Sequence, residues 1–318
     1  MARALPIAVA GGLVAMKIDL RWLATSLALA GASSAGAGGA WVPDPGHGYV
    51  YLGFSRKTAG SSWSVQGNAY DNANSAGIVS WHDFRYLYLN AEVGVFKNCS
   101  LVITPTWLYG LEGPKTNYEK NIGLSDAWIG FKYRVHKGTF PMAFAFNHRS
   151  PYFYDLPGAY SRTLFDSSAR PRGVSPEWRG LLKHDYTLSY LASRSLFNYK
   201  GWASVETGYT WREGAPADQI YFTVDGGYPL RFADARLKAD VHFEHSVGSD
   251  SARQPDDRFG ASPTNNFNKA SYLKLGASAI LPFGPRKEWA AEVGYNQWVW
   301  GRSARRYKEP FVSVGRSF

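Results

Sequence analysis

Apolar and polar residues alternate one by one along much of this chain, and residues 235–244 show the pattern most clearly. Ala, Leu, Ala, Val and Phe occupy the odd positions there, and Arg, Lys, Asp, His and Glu the even ones. Because successive side chains of a β-strand point to opposite faces, the segment predicts a strand with one apolar and one charged face. The charged face of such a strand would meet water in a soluble sheet and the lumen in a membrane barrel.

The two-faced pattern recurs from Gly48 onward, with turns or loops rich in Gly, Pro, Asn and charge between the segments. No apolar run in this part of the chain approaches the roughly 20 residues that a transmembrane helix needs. The recurrence predicts an all-β fold, a single closed antiparallel transmembrane β-barrel of about twelve strands. The predicted strands lie at residues 48–57, 82–94, 100–109, 123–135, 140–151, 180–193, 200–212, 218–228, 235–247, 268–280, 288–301 and 307–318.

Most connections between these segments alternate between short and long. The long ones are 58–81, 110–122, 152–179 and 248–267, whereas 213–217 and 302–306 are short exceptions. Bacterial barrels have short periplasmic turns and longer external loops. An even strand number then predicts that both termini lie on the periplasmic side.

The N-terminal region has the form of a secretory signal. Lys17 and Arg21 precede an apolar stretch at residues 22–32, and small residues continue to Ala40. We therefore predict a signal region at 1–40, with Met16 as an alternative start and cleavage after residue 37 or 40, and a barrel at 41–318.

The chain ends in Phe318, with Val312 and Val314 on the same predicted strand face. This ending resembles the C-terminal signal of outer-membrane barrels, which implies the barrel-assembly machinery as a partner through Phe318. Arg316 departs from that pattern, because its position is normally apolar, but a long side chain can snorkel to the interface. The prediction is therefore a protein of the Gram-negative outer membrane.

Three segments resemble transporter barrels related to the phenol-degradation meta-pathway outer-membrane proteins. They are Trp41-Val42-Pro43 with Gly46-His47-Gly48-Tyr49, the strand at 86–94, and residues 123–134, where Gly-Leu-Ser-Asp leads to Lys-Tyr-Arg. The resemblance implies passive uptake or binding of small molecules, including hydrophobic or aromatic ones. It defines no catalytic residues.

The formal net charge of +10 admits a nucleic-acid partner in principle. The export signal argues against one, and the predicted partners are instead outer-membrane lipid, lipopolysaccharide and a small-molecule solute. The single cysteine, Cys99, cannot form an internal disulfide and lacks metal-ligand spacing. No cofactor and no metal are predicted.

The charged strand faces supply candidate lumen-lining residues of both signs. Such a mixture fits a channel whose charges set solute preference, and it equally fits a salt-bridge network that occludes a structural or adhesion barrel. The candidates are Glu92, Asp126, Lys132, Arg134, Glu206, Arg212, Asp225, Arg236, Lys238, Asp240, His242, Glu244, Lys274 and Glu292.

The longest predicted external loop, 152–179, combines aromatic rings with arginines. Folded inward, it would constrict the lumen, and folded outward, its arginines would meet lipopolysaccharide phosphates. The candidate constriction residues are Tyr152, Phe153, Tyr154, Tyr160, Arg162, Arg170 and Arg172.

A lipid hydrolase is the enzymatic alternative. His148 and Ser150 share one face of a predicted strand, as in the His-x-Ser pair of twelve-stranded outer-membrane phospholipases. By continuation from Phe144 and Phe146, that face is the lipid side. The sequence shows no third residue to orient the histidine, and Pro151 replaces the continuation found in those enzymes, so the prediction remains a protein that is not an enzyme.

Overall fold

The computed structural model describes residues 39–64, 66–71, 80–114, 119–150, 184–198, 201–213, 217–231, 234–247 and 269–318. Every named element in these residues is a strand. No helix in this part of the chain is long and apolar enough to cross a membrane. Residues 1–38 of the predicted signal region 1–40 and the whole of the predicted loops 152–179 and 248–267 lie outside the described residues.

The strands form one large antiparallel sheet and one small three-stranded sheet. They are β1 (Gly48–Ala59), β2 (Ser61–Trp63), β3 (Ala69–Asp71), β4 (Ser80–Phe96), β5 (Cys99–Thr104), β6 (Thr106–Pro114), β7 (Glu119–Leu124), β8 (Ala127–His136), β9 (Met142–Ser150), β10 (Asp185–Leu196), β11 (Gly201–Arg212), β12 (Gln219–Pro229), β13 (Arg236–Ser246), β14 (Ser271–Phe283), β15 (Trp289–Arg302), β16 (Ala304–Arg305) and β17 (Lys308–Ser317).

The large sheet closes on itself, because β1 pairs with β17 on one side and with β4 on the other. Two of its strands are each divided into two segments. Pro105, which has no N–H to donate, separates β5 from β6, and residues 125–126 separate β7 from β8. With each divided strand counted once, the barrel has twelve strands, as the alternation predicts.

Both ends of the barrel sequence lie at one rim. Gly48 and Phe318 exchange backbone hydrogen bonds of 3.0 Å, and Tyr49 pairs with Ser317. The short turns after β4, β8, β10, β12 and β14 lie at the same rim, which is the periplasmic one in bacterial barrels.

The outward positions carry large apolar side chains that are exposed. This arrangement would be costly in water and is the one expected against hydrocarbon. The belt includes Leu52, Phe54, Leu87, Leu89, Trp107, Phe131, Tyr133, Phe144, Phe146, Leu188, Trp211, Phe222, Leu237, Val241, Leu275, Val293, Tyr295, Val312 and Val314.

Inside the barrel, aromatic rings lie over glycines of neighbouring strands. A Cβ built on Gly53 would be 2.2 Å from the ring of Tyr88, and one built on Gly227 would be 2.0 Å from that of Trp202. Glycine at these positions lets bulky inward rings lie against the wall and leaves space near the barrel axis.

Trp298 and Trp300 lie on opposite faces of β15 although they are two positions apart. With regular alternation from the outward Val293 and Tyr295, both side chains would point inward. An irregularity in the β14–β15 pairing places Val299 as an extra residue between them. The bulge therefore turns Trp300 outward, whereas Trp298 keeps its inward position, is buried and packs with Trp63 and Ala304.

Candidate functional site

A cavity of about 650 Å³ lies within the cylinder, and polar side chains from strands around the whole wall line it. Seven of the predicted lumen residues line it, namely Asp126, Glu206, Asp225, Lys238, Asp240, Lys274 and Glu292. The inward alternation of β8, β11, β12, β13, β14 and β15 brings these side chains together from different parts of the chain.

The carboxylates of this wall are held by neutral donors. Tyr221 donates to Glu206 at 2.5 Å, Ser278 to Glu292 at 2.6 Å, and the indole N–H of Trp202 to Asp225 at 2.7 Å. Such bonds fix the direction of a carboxylate without neutralising its charge. Glu292 is also 3.6 Å from Lys238, and Asp126 is 2.9 Å from Arg149. The lining carboxylates outnumber the lining cations, so the cavity wall keeps fixed negative charge.

Several cavity residues were missed by the prediction. Lys57, Arg149, Asn296 and Glu309 also line the cavity, and Glu309 accepts hydrogen bonds from Ser55 and Asn296, both at 3.1 Å. Strand alternation alone would have placed Glu309 inward, because it lies three residues before the outward Val312.

Lys57 lies among three aromatic rings. Its ammonium group is 5.1 Å from the ring centroid of Tyr86, 5.3 Å from that of Trp298 and 5.9 Å from that of Tyr307. The Nζ atom of Lys57 is also 3.8 Å from the carboxylate of Glu309. These contacts hold a cation and an aromatic cluster on one side of the cavity, away from the rim with the short turns.

Residues 39–47, called here the N-terminal segment, cross the periplasmic end of the barrel interior. The N–H of Ala40 donates to Ser193 Oγ at 2.7 Å, and Ala40 packs in an apolar cluster with Ala143 and Leu191. Trp41 packs against a second cluster that contains Trp202 and Ile280. The segment therefore contacts strands on different sides of the barrel and narrows its periplasmic end.

Three predicted lumen residues hold this segment rather than line the cavity. Lys132 donates to the carbonyl oxygen of Trp41 at 3.4 Å and to Glu92 at 2.7 Å, and Arg134 donates to the carbonyl of Val42 at 2.9 Å. Glu92 also accepts hydrogen bonds from Ser100 and Tyr49. This buried network fixes the N-terminal segment to the wall.

The remaining predicted lumen residues lie towards the two rims. Arg212 is 3.6 Å from the buried Asp185, and Glu244 accepts from Tyr272 at 2.8 Å beside His242, all towards the extracellular end. Arg236 borders a second cavity near the periplasmic rim. The loop candidates Tyr152, Phe153, Tyr154, Tyr160, Arg162, Arg170 and Arg172 lie outside the described residues.

The pair His148 and Ser150 lies on the outer face, as predicted, but its geometry differs from that of a catalytic triad. Ser150 Oγ is 3.0 Å from Nδ1 of His184, and Nε2 of His148 is 2.9 Å from the same nitrogen. In a triad the base uses one ring nitrogen for the serine and the other for the orienting group. Ser150 is also only 3% exposed.

Among the described residues, no group of three or more His, Cys, Asp or Glu side chains has the geometry to hold a metal ion. Cys99 is a free thiol in β5. The closed cylinder, its apolar exterior and its charged interior together decide the class of protein.

This chain is an outer-membrane β-barrel.

Comparison with solved structures agrees with that fold. The COG4313 outer membrane channel from Pseudomonas putida F1 superposes with a TM-score of 0.60 at 10% identity, over 90% of this chain and 100% of that one. The translocator domain of the autotransporter NalP from Neisseria meningitidis gives a TM-score of 0.45 at 12% identity, over 94% of each chain. The CymD monoaromatic hydrocarbon channel gives a TM-score of 0.41 at 10% identity, over 87% of this chain and 89% of that one.

No protein-family model and no curated protein sequence matches this chain. The predicted link to the phenol-degradation family therefore remains a resemblance carried by the segments quoted above.

Proposed function

We propose that the protein is a narrow outer-membrane conduit for small polar solutes, with a preference for cations. The observation that carries the proposal is the charged cavity inside the closed barrel. Among the described residues that line it, six are carboxylates and four are cationic. An excess of fixed negative charge in a narrow passage raises the local concentration of cations.

The polarity of the cavity bears on the type of solute. The resemblance to phenol-degradation barrels predicts uptake of hydrophobic or aromatic molecules, and the rings of Tyr86, Tyr88, Trp128 and Phe311 give the wall some apolar surface. A wholly apolar solute in the centre would nevertheless separate charged groups from water, which is costly. Polar solutes, including aromatic ones with a cationic group, fit this wall better.

In this proposal, the N-terminal segment determines how wide the passage is at the periplasmic end. It crosses the periplasmic end, so solutes that enter from outside reach the central cavity first and then pass a narrowed exit. The alternative of a structural or adhesion barrel with an occluded lumen predicts no ion passage at all.

The test is the reversal potential of single channels in planar bilayers under a KCl gradient. We expect a cation-selective wild type, and lower selectivity in Glu309→Gln and Asp240→Asn. One unit charge at about 6 Å in water contributes about 0.7 kcal/mol, which favours a cation and disfavours an anion by about threefold each. Each substitution should therefore reduce the cation-to-anion permeability ratio by up to about tenfold. Lys274→Gln should change the ratio in the opposite direction.

Asp234→Asn is the matched control, because Asp234 pairs with Lys287 at the periplasmic surface and is half exposed. Its selectivity should equal that of the wild type. Anion selectivity of the wild type would contradict the charge argument, and silent but folded and inserted barrels would support the occluded alternative.

A further inference from the structure

The outer surface of the barrel changes from apolar to cationic at one level on three neighbouring strands. Phe54 of β1, Leu87 of β4 and Trp107 of β6 are cross-strand neighbours in the apolar belt. Two residues further from the periplasmic rim, the neighbours are Arg56, Arg85 and Tyr109. Two residues of a strand rise about 7 Å, so the arginine row lies directly beyond the belt at its extracellular edge.

This row places two like charges opposite each other. Arg56 and Arg85 are register partners on adjacent strands, an arrangement that is unfavourable without a counter-charge. Asp83, on the same outward face, supplies one. Arg56 binds its two carboxylate oxygens at 2.9 and 2.8 Å, and Arg85 binds it at 3.2 Å. Within this cluster of described residues, one carboxylate against two guanidinium groups leaves a net charge of one positive unit.

The two guanidinium groups remain accessible from the lipid side. The side chains of Arg56 and Arg85 are 48% and 42% exposed, whereas that of Asp83 is 7% exposed. The guanidinium carbon of Arg85 lies 5.3 Å from the ring centroid of Tyr109, which limits its movement. The cluster is therefore a prepositioned pair of fork-shaped donors beside an apolar surface.

We propose that Arg56 and Arg85 bind a phosphate group of lipopolysaccharide in the outer leaflet, with Phe54, Leu87 and Trp107 contacting its acyl chains. Guanidinium groups match phosphate oxygens in bidentate geometry, and the pair lies directly beyond the apolar row, in the order in which a lipid places its phosphate beyond its acyl chains. A lipid with an anionic headgroup and acyl chains beneath it would both balance the remaining positive charge and cover the apolar row. A free phosphate would only balance the charge.

The other rim supplies a matched control. Arg316 also follows an outward apolar pair, Val312 and Val314, and lies 5.4 Å over the ring of Trp289. Its cross-strand partners are Val50 and Trp289, so it is a single cation at the periplasmic edge. Arg316→Gln removes one outward arginine without touching the proposed site.

The experiment measures binding of bisphosphorylated lipid A to the delipidated full barrel in detergent, by native mass spectrometry. Dephosphorylated lipid A and inorganic phosphate are the comparison ligands. We expect Arg56→Gln/Arg85→Gln to weaken lipid A binding at least about tenfold, because charge-assisted hydrogen bonds are lost. Wild type and Arg316→Gln should bind equally well, and dephosphorylated lipid A should bind weakly to all three.

The double substitution leaves the carboxylate of Asp83 without its two arginines, which could disturb folding. A triple variant that also removes this carboxylate separates loss of binding from misfolding. Arg56→Gln/Asp83→Asn/Arg85→Gln removes the whole charge cluster and should show the same loss, with heat-modifiable electrophoretic mobility confirming a folded barrel. Equal lipid A binding by wild type and triple variant would overturn the proposal. So would equal binding of dephosphorylated lipid A, or competition by inorganic phosphate as strong as by the lipid.

Discussion

A barrel that begins at His47 is expected to conduct about three- to tenfold more current than one that begins at Gly39, because a twelve-stranded barrel is wider than its own side chains fill. The physical reason is the position of the N-terminal segment. Ala40 and Trp41 pack against opposite parts of the wall, and Arg134 binds the carbonyl oxygen of Val42. Single-channel recordings of both chains, refolded into lipid bilayers, measure the difference.

A synthetic peptide of residues 39–46 provides the control. The peptide, added to the truncated barrel from the side with the short turns, should lower the current towards that of the longer chain. Added from the other side, it should lower the current less. Heat-modifiable mobility shows whether the truncated barrel is folded. Equal conductance of the two folded chains would mean that the segment does not limit passage.

The strand pattern could be predicted from sequence because a membrane barrel imposes one rule on every strand. In β13, Leu237 and Val241 face outward and Lys238 and Asp240 face inward, as the alternation requires. The number of strands and the shared rim of the two termini follow from repeating that rule. The alternation fails locally at Val299, where the extra residue of the bulge turns Trp300 outward.

The site could be predicted only in part. Strand alternation assigns a side chain to the interior, but it does not say which interior residues line open space and which lie beneath other chain segments. Glu92, Lys132 and Arg134 are inward as predicted, yet they bind one another or the N-terminal segment. Trp41 and Val42 carry no periodic signal that would place them inside the barrel.

The histidines on the outer face show a second limit of prediction from the sequence. Ser150 meets His184, which is 34 positions away in the sequence and precedes β10. The register of β9 against β10 pairs Tyr186 with His148 and brings this residue close. A single sequence gives the faces of strands, but their register across a long connection depends on the closed barrel as a whole.

Lys132→Met is expected to destabilise the barrel by about 3–5 kcal/mol, because it leaves the carboxylate of Glu92 buried without its cation. Glu92 is 1% exposed, and the side chain of Lys132 is 7% exposed. Urea unfolding of the barrel in lipid vesicles, followed by tryptophan fluorescence, measures the change. Lys287→Met is the control, because its ion pair with Asp234 is exposed and should contribute less than about 1 kcal/mol.

The double variant Glu92→Gln/Lys132→Met separates the ion pair from the packing around it. The amide oxygen at residue 92 can accept the hydrogen bond of one of the two hydroxyl groups, Ser100 or Tyr49, and the amide NH2 can donate to the oxygen of the other. No buried charge then remains. We therefore expect the double variant to recover most of the stability lost in Lys132→Met. A double variant as unstable as the single one would show that the aliphatic part of Lys132, or its bond to Trp41, carries the effect. In that case the N-terminal segment itself would be a main source of the barrel's stability, and the chain that begins at His47 should unfold at lower urea concentration.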